Sequence, residues 1–184
     1  MYDLLRTIDT LSIRKFLRVG NLTGDAKNDI QDHIIQIHAD SYTPTDELCI
    51  PTGEYASVEG TPFDLREPTR LGDVIAKVSG GNKPGLDHNY VISKSTKNEL
   101  QLIATCSEPV SGRKLVLHST QPGVQVYTGN FLDGPPPLAQ HYGFCLETQY
   151  FPDSINQPNF PDIVLRPDEK YHHEAIFSLR HINN

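Results

Sequence analysis

From Asn21 onward, short apolar alternations are punctuated by Gly, Pro, Asn and Asp, which is the pattern of an all-β chain. Leu100 and Leu102 alternate with Glu99 and Gln101, and Leu115 and Leu117 with Lys114, Val116 and His118. Val124 and Val126 alternate with Gln125 and Tyr127, and Ala175, Phe177 and Leu179 with Ile176, Ser178 and Arg180. Strands this regular, separated by loops such as Val78 to Pro84 and Asp133 to Pro137, predict a sheet sandwich with one dry face and one polar face. The many prolines between them fix φ and remove backbone donors, so they belong in ordered turns and at strand ends. A short helix is expected only at Leu71 to Lys77. The first twenty residues differ: Leu4, Leu5, Ile8 and Leu11 fall at helical spacing with no turn residue before Gly20, which predicts an N-terminal helix.

A chain of 184 residues, 37% hydrophobic and 21% charged, is expected to form one globular domain. The formal net charge of −7 comes without a Lys/Arg cluster to neutralise phosphates, so no nucleic-acid partner is expected. No apolar run approaches the roughly 18 residues that span a bilayer, and the start lacks the layout of a secretory signal. A cytoplasmic protein without membrane attachment is the expectation. Cys49, Cys106 and Cys145 are odd in number and far apart, which suits reduced, buried thiols better than a disulfide framework or zinc knuckle.

Polar side chains on the alternating face of a strand point together into whatever groove the sheet forms. Gln125, between Val124 and Val126, is one, and Glu147 is another, sharing its face with Cys145 and Gln149 opposite Phe144 and Leu146. Asp87 lies just before an expected strand, Asn89 to Ser93. Two carboxylates and an amide suit a polyhydroxylated ligand, because carboxylates accept hydrogen bonds from vicinal hydroxyls while amides both donate and accept. A solvated strand face with no ligand gives the same pattern. The eight histidines form no ligand set with metal-binding spacing: His172 and His173 are adjacent, and His33 and His38 are five apart. SGGNK, at Ser79 to Lys83, is not a phosphate loop, and no G-x-S-x-G elbow is present.

Longer segments are more specific. NLTG (Asn21 to Gly24), DIQDH (Asp29 to His33), ADSYTPTDELCIPTGE (Ala39 to Glu54), GTPFDLR (Gly60 to Arg66), GLDHNY (Gly85 to Tyr90), SGRKL (Ser111 to Leu115), TQPGVQVYTGNFLDG (Thr120 to Gly134), GFCLETQ (Gly143 to Gln149), NQPNFP (Asn156 to Pro161) and LRPDEKYHH (Leu165 to His173) occur in one order. In that order they resemble the C-terminal part of the aldose 1-epimerases, from about Asn21 to about Phe177. The resemblance implies a galactose mutarotase-like β-sandwich, or supersandwich, incomplete on its N-terminal side. Its concave face would bind a free aldohexose such as galactose or glucose and interconvert the α and β anomers without cofactor or metal. A base takes the proton of the anomeric hydroxyl, an acid protonates the ring oxygen, and the opened ring recloses on its other face. The resemblance places the base at Glu147 and sugar-hydroxyl contacts at Asp87 and Gln125. A complete member of the family is expected to be a monomer.

Family members carry an acid histidine in a motif directly before NLTG, where this chain reads FLRVG with Leu17 at the histidine position. The chain therefore divides into a non-homologous segment, residues 1–20, and the C-terminal part of an epimerase sandwich, residues 21–184. Two alternatives to the enzyme follow: a catalytically inactive sugar-binding protein, and a truncated or differently assembled form stable only when another chain complements it. An epimerase acting on hexose 6-phosphates is disfavoured, because Arg66, Arg70 and Lys77 are scattered rather than clustered.

Overall fold

The computed structural model describes residues 2–4, 20–24, 28–92 and 99–182. Their strands in chain order begin with β1 (Tyr2–Leu4), β2 (Ile34–Ile37), β3 (Ser41–Thr43), β4 (Ala56–Ser57), β5 (Thr69–Arg70), β6 (Ser79–Gly80) and β7 (Lys83–Pro84). They continue with β8 (Asp87–Val91), β9 (Gln101–Glu108), β10 (Arg113–Ser119), β11 (Gly123–Tyr127), β12 (Cys145–Gln149) and β13 (Ala175–His181). A six-stranded sheet runs β1-β13-β10-β9-β2-β5, and a five-stranded sheet runs β12-β11-β8-β3-β4. All pairings are antiparallel. The expected loop from Val78 to Pro84 contains the small β6-β7 hairpin.

The two sheets meet through alternate residues. Ile35 and Ile37 of β2, Ala104 and Cys106 of β9 and Leu117 of β10 face Tyr90 of β8, Val124 and Val126 of β11 and Leu146 of β12 in one buried cluster. Helix α1 (Leu71–Ile75) closes one end of this core by burying Leu71, Val74 and Ile75, within the stretch expected to be helical.

Two expectations from the alternation change. Leu102 pairs with His118 whereas Ala104 pairs with Leu117, so Ile103 is an extra residue in β9. That bulge reverses the phase of the strand: Ala104 and Cys106 turn inward, while Leu102 shares the face of His118 and Leu100 is 38% exposed. In β13, Phe177 packs on the core but Leu179 is 57% exposed, because the core thins toward this flank of the sheet. At the N-terminus, Leu4 belongs to β1, which pairs with β13, so tertiary pairing overrides helical spacing there. Leu5, Ile8 and Leu11 lie outside the described residues.

Candidate functional site

The outward face of the five-stranded sheet is polar. Gln125 of β11 is paired with Glu147 of β12 on one side and Asn89 of β8 on the other. Tyr127 is paired with Cys145 and Asp87, and Thr43 of β3 continues the Asn89 row. Directly paired antiparallel residues project to the same side, so Asp87, Asn89, Gln125, Tyr127, Cys145 and Glu147 share one face, opposite the core-facing His88, Tyr90, Val124, Val126 and Leu146. Gln125 Nε2 donates to Asp87 Oδ1 at 2.8 Å. This bond fixes the carboxamide with its oxygen as the remaining acceptor.

Asp87 is held from below by the segment after β11. Thr128 Oγ1 accepts from the Leu86 N–H at 2.9 Å and donates to Asn130 Oδ1 at 2.7 Å, while Asn130 Nδ2 donates to the Leu86 carbonyl at 3.0 Å. Gly85 crosses this pair at φ 110°, and a Cβ there would lie 2.4 Å from Asn130 Oδ1 and 2.5 Å from Thr128 Oγ1. Glycine is thus required by both space and backbone.

The NLTG segment docks beside β12. Asn21 Nδ2 donates to the Asn28 and Tyr142 carbonyls, and its Oδ1 accepts from the Thr23 backbone and hydroxyl. The Leu22 N–H donates to Nε2 of the fully buried His33 at 2.9 Å. Gly20 and Phe144 exchange two backbone hydrogen bonds in an antiparallel bridge immediately before β12.

Loops wall the face. Phe151 stands over Gly123 at one end, edge-on to Phe160 at 5.3 Å and Tyr55 at 5.9 Å. At the other end the Phe131 N–H donates to the Tyr127 hydroxyl, and Cys49 Sγ approaches Gly81. Burial pushes the Cys145 thiol up to about 12, and the carboxylates of Glu147 and Asp87 push in the same direction. Burial also raises Tyr127 and Cys49, each with a further contribution from Asp87. Cys106 and Cys145 are buried and Cys49 is half-buried; all three are free thiols. No group of three or more His, Cys, Asp or Glu among the described residues is arranged to hold a metal ion. No helix among them is long and apolar enough to cross a membrane.

All three residues picked from the sequence, Asp87, Gln125 and Glu147, are brought onto one face. Asp87 is the first residue of β8 rather than part of the preceding loop, and Ser93 lies outside the described residues. Leu17 also lies outside them. Asn89, which reads in the sequence as an ordinary polar strand residue, joins the same face and is buried there.

The sequence model of the family described as Aldose 1-epimerase matches residues 20–178. The chain belongs to the aldose 1-epimerase family. It is 48% identical to the galactose mutarotase of Rattus norvegicus over 165 residues, 86% of this chain and 47% of the relative. It is 35% identical to the aldose 1-epimerase of Escherichia coli K12 over 159 residues, 82% of this chain and 45% of the relative. The structure of a GalM/aldose epimerase homologue from C. elegans superposes with a TM-score of 0.76 at 26% identity, over 86% of this chain and 49% of that one. That of galactose 1-epimerase from Lactobacillus acidophilus gives 0.68 at 26% identity, over 83% and 45%. The chain thus spans about half the length of the relatives it matches.

Proposed function

We propose that the polar face of β8, β11 and β12 is the sugar-binding floor of an aldose 1-epimerase, with Glu147 as the base that takes the proton of the anomeric hydroxyl. The observation that carries this reading is the paired row Asn89-Gln125-Glu147, with Asp87 bonded to Gln125, on one loop-walled face of a family sandwich. The substrate would be a free aldohexose, galactose or glucose. Asp87 would accept hydrogen bonds from its hydroxyls, and Gln125 would present a carboxamide already oriented by Asp87. Each positioned acid or base contributes about 10²–10⁴ in rate.

A second reading, recognition without turnover, is favoured by Leu17. Leucine has no proton to give to the ring oxygen, and resemblance puts the family's acid at that position. Polarimetry of freshly dissolved α-D-galactose separates the readings: the enzyme predicts mutarotation faster than the spontaneous rate. Under either reading galactose raises the melting temperature, because a ligand that binds the native state stabilises it by RT ln(1 + [L]/Kd), about 2.7 kcal/mol at a hundredfold excess over Kd. A chain that neither accelerates mutarotation nor responds to galactose carries no sugar site.

A further inference from the structure

Asn89 belongs to the paired row of the candidate floor and is 1% exposed. Neither its Nδ2 nor its Oδ1 has a hydrogen-bond partner, and the buried Oε1 of its cross-strand neighbour Gln125 also lacks one. An unmet buried polar atom is costly, and native structures rarely leave several together. Directly opposed residues on antiparallel strands have Cβ atoms about 4.5–5.5 Å apart, so the two side chains that carry these orphaned atoms are neighbours.

The surroundings make room for the amide. Asn89 Oδ1 occupies the space above Gly123, where a Cβ would come within 2.5 Å of it, and Phe151 closes the same spot from above. Of the Gln125 carboxamide only the nitrogen is bonded, to Asp87, while the buried oxygen has no partner.

We propose that Asn89 and Gln125 Oε1 enclose a buried water site, and that Asn89 acts through this water as a positioning residue that holds the Gln125 carboxamide against Asp87. A water accepting from Asn89 Nδ2 and donating to Gln125 Oε1 satisfies two of the three orphaned atoms, and its second proton faces the remaining acceptor, Asn89 Oδ1 or a neighbouring carbonyl. Ordered buried waters typically make about three such bonds. The proposal extends the sugar-floor reading by one strand, yet the water and the coupling exist without sugar.

A crystal structure of the 184-residue chain at a resolution that defines waters tests the site directly. A water within about 3.2 Å of both Asn89 and Gln125 Oε1 is expected; an empty space, or a direct protein partner for each orphaned atom, overturns it. A thermal double-mutant cycle tests the coupling. Asn89→Ala is expected to lower the melting temperature by about 2–4 °C, the shift of a single lost interaction in a domain of this size, and by clearly less in a Gln125→Ala background. Additive shifts overturn the positioning role.

The NMR signals of the Gln125 side-chain amide provide a readout that general destabilisation does not move. In Asn89→Ala and in Gly123→Ala these signals are expected to shift while side-chain amides far from the site stay in place; unchanged Gln125 signals contradict the proposal. If the water and the coupling are found but galactose does not stabilise the chain, the water site stands and the sugar reading falls. If galactose binds and Asn89→Ala leaves both its affinity and the Gln125 signals unchanged, the sugar reading stands and the positioning role falls.

Discussion

His88 sits on the core side of β8, edge-on to Phe63 at 4.7 Å and to Tyr42 at 6.0 Å, and burial lowers its pKa from 6.5 to about 4. Between those values the unfolded chain binds the proton and the native chain does not, so stability falls as pH falls from about 6.5 through about 4 and is fully present above that window. His33, lowered in the same direction by burial, adds to the slope. Melting temperatures measured across this range are expected to fall less steeply for His88→Gln; an unchanged slope contradicts the assignment. At this scale the site was partly legible. Gln125 and Glu147 stand out because polar residues between buried apolar ones must face away from the core. Asn89 does not, because its neighbours in the sequence give no sign that Gly123 and Phe151, far along the chain, would come beside it.

Among the elements, β9 shows where periodicity fails: one bulged residue, Ile103, moved Leu100 and Leu102 off the dry face, and no local signal in the sequence marks it. The turn between β11 and the following loop, by contrast, explains why GLDHNY and VYTGN occur together, since Thr128 and Asn130 hold Gly85 and Leu86 and so aim Asp87. Thr128→Val removes the acceptor for a buried N–H, with an expected loss of about 1–3 kcal/mol in denaturant unfolding and weaker galactose affinity. Strand β12, which carries Glu147, is the end strand of its sheet among the described residues and begins beside the Gly20–Phe144 bridge. Resemblance puts the family's acid histidine at position 17, so Leu17→His is expected to raise the rate of mutarotation, by about 10²-fold for one positioned acid; polarimetry of the variant reads this, and no gain contradicts that placement.

For the whole molecule, the all-β sandwich was legible because alternation and turn residues recur along nearly the whole described chain, and the two sheets bury their apolar faces against each other. The order of strands was not, because pairings such as β2 with β9 and β1 with β13 join segments far apart in sequence through contacts that no local pattern encodes. The family match covers residues 20–178 and so includes the polar face, and in the function proposed for it Glu147 is the base. The direct test is polarimetry of α-D-galactose with the unsubstituted chain and with Glu147→Gln, which keeps the shape and removes the base. Accelerated mutarotation by the unsubstituted chain is expected, falling to the spontaneous rate in Glu147→Gln while galactose still raises the melting temperature of the variant. Equal acceleration by both proteins, or none by either, would contradict it.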